Sequence, residues 1–134
     1  MKFDKTKLLQ IVLILGTIYF LIGAIAHFFG LTIFPFYDGR LYTQYHDTVI
    51  ALASIIFLIF LFTIAINPIK NIGMLKAVII SSIIAIIFNI YIISKIDFVS
   101  LGAPTKKFQT IVETILLVLF VVSLLILKPK KIKY

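Results

Sequence analysis

Four long apolar runs alternate with short polar connections along the chain. The runs cover about residues 8–29, 45–67, 77–96 and 108–127, and each meets the length of about 20 helical residues that a bilayer's hydrocarbon core requires. The connections carry turn chemistry. Gly30 and Pro35 close the first run, and Tyr37-Asp38-Gly39-Arg40 supplies a turn through Asp-Gly. Asn67-Pro68 stops the second run, because the residue before proline is pushed out of helical conformation, and Lys70, Asn71 and Gly73 complete a tight connection. Asp97, Gly102 and Pro104 form the third, with Lys106 and Lys107 at the head of the fourth run. The pattern predicts an all-α integral membrane four-helix bundle, a single domain over residues 1–134 with short loops.

Composition excludes the alternative of a water-soluble globule. Of the 134 residues 62% are hydrophobic and 13% charged, against roughly a quarter charged in an ordinary soluble domain, and the mean hydropathy is +1.18. The absence of cysteine removes disulfides, thiolate metal sites and cysteine nucleophiles. A net charge of +8 raises the question of nucleic acid, but the lysines flank apolar runs instead of forming a basic face, so no nucleic-acid partner is expected.

Charge also predicts orientation. Lys2, Lys5, Lys7, Lys70, Lys76, Lys128, Lys130, Lys131 and Lys133 fall on one side of the four spans, and Arg40, Lys95, Lys106 and Lys107 on the other. The positive-inside rule then puts both termini on the cytoplasmic side of a multi-pass cell-membrane protein. The lysine tail also suits attraction to anionic lipid. On the outer side, Phe34, Phe36, Tyr37, Tyr42 and Tyr45 fit a loop lying in the headgroup layer. Lysines followed by an apolar run and Ala24-Ile25-Ala26 also resemble a cleavable signal, but the run is long for a signal's hydrophobic region, and the first span is expected to be retained.

Ionisable and strongly polar groups inside spans are costly unless paired, so they mark the candidate site. His27 lies near the outer end of the first span, His46 and Asp47 at the outer start of the second, Asn89 in the outer half of the third and Glu113 about one turn into the fourth. Helical spacing puts them on small or polar stripes: Gly16, Gly23, His27 and Gly30; Asp47, Ala51 and Ser54; Ser82, Ala85 and Asn89; Gln109, Glu113, Leu116 and Phe120. Convergence of these stripes would make an outer-half polar pocket. His27, His46 and Glu113 are its candidate metal ligands, although no two share one helix at metal-binding spacing. Each residue also has a plain structural role: His27 bonded to a carbonyl or water, His46 and Asp47 at a helix start, Asn89 joining helices, and Glu113 drawn to the interface by Lys106 and Lys107.

The expected function is a non-enzymatic accessory or structural subunit, packed against other integral membrane subunits or against itself within lipid, with no cofactor. One alternative is a membrane protein binding a lipid, a quinone-like molecule or a metal in the outer pocket. Another is a small carrier or channel, which would need oligomerisation because no polar stripe crosses both halves. The four-span layout with His27 late in the first helix resembles that of DoxX-like small membrane proteins. That likeness is one of shape and transfers no residue role.

Overall fold

A computed structural model describes residues 4–129, and within them the chain is helical, with four helices each long and apolar enough to cross a membrane. They are α1 (Lys5–Phe29), α2 (Gln44–Ile66), α3 (Ile72–Lys95) and α4 (Pro104–Leu127). At 23 to 25 residues, each extends about 35–38 Å. Lys2 and the tail lysines Lys130, Lys131 and Lys133, which contribute to the expected orientation, lie outside the described residues.

Local chemistry sets both ends of α1 and the start of α4. Asp4 caps α1 by accepting the Thr6 amide proton at 2.9 Å. Gly30 ends it in the left-handed conformation at φ 63°, which an L side chain rarely adopts, and its amide reaches back to Ala26 and His27 carbonyls. Helix α3 begins at Ile72 rather than 77, taking in Gly73 and Lys76, and α4 at Pro104 rather than 108, because proline suits a first helical turn. Lysines mark where the hydrocarbon ends, and the helices run on past that point.

Each helix packs on its sequence neighbours, and α1 closes the ring against α4. Contact is most extensive between α1 and α2 and sparse between α2 and α3. The apolar core gathers at the end formed by the start of α1, the α2–α3 turn and the end of α4, the terminal end. Leu9, Leu13, Leu61, Ile64, Leu75 and Leu124 are fully enclosed there. The opposite end is built differently. Its buried residues are mostly small or polar, Ala24, Ala26, Ala51, Ala103, Asp38, Asp47, Gln109 and Thr110, with the aromatic rings of Tyr37 and Phe98 among them.

A compact hairpin loop, residues 31–43, covers that end. Ile33 and Tyr37 exchange both backbone hydrogen bonds at 3.0 Å across a cis Phe34-Pro35 turn, and a 3-10 turn follows at Gly39–Leu41. Phe36 packs on Tyr19 of α1 and Phe34 on Phe108 of α4, with ring centroids 4.7 and 5.9 Å apart. Gly39 passes so close to the Gly30 carbonyl that a Cβ there would collide with backbone oxygen.

Candidate functional site

Two polar clusters hold the hairpin to the helices. In the first, the His27 Nδ1 of α1 lies 2.7 Å from the Asp47 carboxylate of α2. An ionised carboxylate only accepts, so Nδ1 donates the proton of this bond and Nε2 is the ring nitrogen that the bond leaves unused. Asp47 also accepts the backbone N–H of Thr43 at 2.6 Å and, more loosely, the Thr43 hydroxyl at 3.3 Å. It therefore stabilises the start of its own helix and links it to α1, two roles that the sequence left as alternatives. The Tyr37 ring lies over His27 with centroids 4.2 Å apart. Its buried hydroxyl sits near Asp47 without forming a well-shaped hydrogen bond. Burial first, and then the neighbouring carboxylate, push the Tyr37 phenol up from its ordinary value.

The second cluster joins the hairpin to α4. Asp38 is almost wholly buried and accepts from Arg40 Nε at 3.0 Å and Nη2 at 2.6 Å, a two-pronged pairing. The Thr105 hydroxyl donates to the same carboxylate at 3.1 Å and lies 2.5 Å from Arg40 Nη2. The Arg40 amide also donates to Asp38, and the Gly39 amide to the Thr32 hydroxyl. Hydrogen bonds from Arg40, outweighing the cost of burial, lower the Asp38 carboxyl from 3.8 to about 2.

Of the five residues expected in a shared pocket, His27 and Asp47 meet. His46, one residue before Asp47, is turned about 100° around the helix and is exposed beside Tyr45 and Thr43. Glu113 pairs with Lys106 of its own helix at 3.7 Å instead of with His27. Asn89 is half-buried on α3, with no side-chain hydrogen bond to any of the other four. His27, His46 and Glu113 do not assemble as metal ligands: among the described residues no three His, Cys, Asp or Glu side chains do. The expected glycine stripe on α1 does not act as one contact either, since Gly16 faces Phe120 and Leu61 while Gly23 has open space.

Tyr37, Asp38, Arg40 and Thr105 were missed by sequence reasoning. Their one legible signal is an opposite-charge pair two residues apart in a loop otherwise apolar and aromatic. Comparison with models of known protein families, with curated proteins and with solved structures finds no match. Fold and composition define the class: a multi-pass membrane protein of four helices.

Proposed function

We propose that this chain is a non-enzymatic accessory subunit of a larger membrane assembly, in a cell membrane with both termini on the cytoplasmic side. The carrying observation is how its ionisable groups at the hairpin end are used. His27 of α1 engages Asp47 of α2, Arg40 engages Asp38 within the hairpin, and Lys106 engages Glu113 within α4, so these charges are satisfied inside the chain while the long helix faces remain apolar. A surface of that kind acts by contact. The lysine distribution supports the sidedness.

Photo-crosslinkers placed singly at Ile87 and Leu119, exposed positions on α3 and α4, test the reading in native membranes. A discrete crosslinked partner protein is the expected result. Crosslinks to lipid alone from both faces would overturn it.

A second reading has an observation of its own. The Tyr37 hydroxyl and the Gln109 Oε1 are buried without hydrogen-bond partners, and unpaired buried polar atoms attract a ligand or an ordered water. In that reading the hairpin end holds a small polar or quinone-like molecule, with His27 Nε2 as its proton acceptor. A chain isolated with a stoichiometric small molecule that is lost on Tyr37→Phe would establish it.

A further inference from the structure

Helices α2 and α3 touch sparsely, and between them runs an apolar groove of about 350 Å³ lined by Phe57, Phe60, Met74, Ala77, Val78 and Ser81. That volume lies within the range of small-molecule sites, and the lining is apolar apart from one hydroxyl. Phe60 and Met74 are its residues nearest the α2–α3 turn, so the groove extends from the terminal end toward the middle of the helices.

The turn that joins the two helices beyond Phe60 and Met74 is firmly built. Asn67 Oδ1 accepts the Lys70 amide at 3.0 Å, and Asn71 Nδ2 donates to the carbonyls of Thr63 and Asn67, each at 3.0 Å. Lys70 is thereby set four residues before Met74 with its side chain exposed. It belongs to a wider asymmetry. Among the described residues, Lys5, Lys7, Lys70, Lys76 and Lys128 stand at the terminal end against the single acid Asp4. At the hairpin end Arg40, Lys95, Lys106 and Lys107 are balanced by Asp38, Asp47, Asp97 and Glu113. The net positive charge therefore sits at the end of the bundle nearest Phe60 and Met74.

An apolar channel within the hydrocarbon layer and unbalanced cations at its headgroup end together describe an amphiphilic anion. We propose that the α2–α3 groove binds one acyl chain of an anionic phospholipid whose phosphate is held at Lys70. A zwitterionic lipid would place a second cation among the lysines and gain less. The inference is independent of the accessory-subunit reading.

The test uses the full chain in nanodiscs of equal phosphatidylglycerol and phosphatidylcholine, followed by native mass spectrometry of the lipids retained in detergent. Wild type is expected to retain phosphatidylglycerol in preference. Lys70→Gln should reduce that preference about fivefold, the equivalent of about 1 kcal/mol for one lysine near the headgroups. Ala77→Phe, which fills the groove, should remove the retained lipid altogether, and Lys95→Gln at the neutral end should leave retention unchanged. Equal retention of both lipids by wild type, or full retention by Ala77→Phe, would overturn the proposal. So would a second copy of the chain, or a partner helix, recovered in place of lipid.

Discussion

Replacing Asp38 with asparagine keeps the side chain's volume and removes the charge that Arg40 and Thr105 engage. The lowering of its carboxyl from 3.8 to about 2 corresponds to about 2.5 kcal/mol at about 1.4 kcal/mol per pH unit. The Arg40 side chain is half exposed, so solvent screening reduces this to about 1–2 kcal/mol. Most of that energy comes from Arg40, two residues away in the same hairpin, so it is lost from the hairpin's folded state, whose opening becomes about 5–30 times more frequent. Hydrogen exchange of the Ile33 and Tyr37 amides, which bond across the hairpin, reads the opening directly. In nanodiscs at neutral pH their exchange should accelerate by that factor, while amides of residues 75–79 in the apolar core stay unchanged. The sign with pH is fixed too. A carboxyl whose folded value lies below its free value stabilises the loop above about pH 4, and the stabilisation fades as pH falls toward about 2. Wild-type loop exchange, corrected for intrinsic chemistry, should accelerate through that window and the Asp38→Asn loop should not. Unaltered hairpin exchange in the variant would refute the latch, and so would equal acceleration in the core.

Other perturbations separate the remaining contacts. A double-mutant cycle of His27→Gln and Asp47→Asn, read by thermal unfolding, should give a coupling of about 1–3 kcal/mol, and additivity within about 0.5 kcal/mol would show that the 2.7 Å contact contributes nothing. Gly39→Ala forces a Cβ against the Gly30 carbonyl and should cost about 1–3 kcal/mol, whereas Gly23→Ala enters open space on a helix and should be neutral or stabilise by up to about 1 kcal/mol. Matching melting temperatures for these two variants would contradict the close approach. Glu113→Gln should change stability by less than about 1 kcal/mol, because its 3.7 Å pairing with Lys106 is long and only partly enclosed. A larger loss would point to a further partner.

The four helices were legible because length and apolarity report directly on crossing a bilayer, and these segments have both. The starts of α3 and α4 were less so, since both lie several residues back in sequence where Gly73, Lys76, Lys106 and Lys107 interrupt the apolar run, and a proline at the head of α4 suits a first turn. At the candidate site, the concentration of polar groups in one half was readable from the positions of His27, Asp47 and Glu113. Their partners depended on facts outside helical periodicity. His46 shares a sequence neighbourhood with Asp47 yet faces away, because one residue is about 100° of helix. Glu113 found Lys106 on its own helix before any neighbour. The Asp38 cluster spans 67 residues to Thr105, and the hairpin that carries Asp38 to α4 has no periodic signal from which that contact could be inferred.

Native mass spectrometry of the protein released from its own membranes in mild detergent tests the central claim, for wild type and the paired variant His27→Gln with Glu113→Gln. The account predicts recovery of both inside a larger assembly with the same partner masses, because these side chains fasten the chain to itself. A free chain or homo-oligomer carrying a stoichiometric small ligand that the paired variant loses would contradict it.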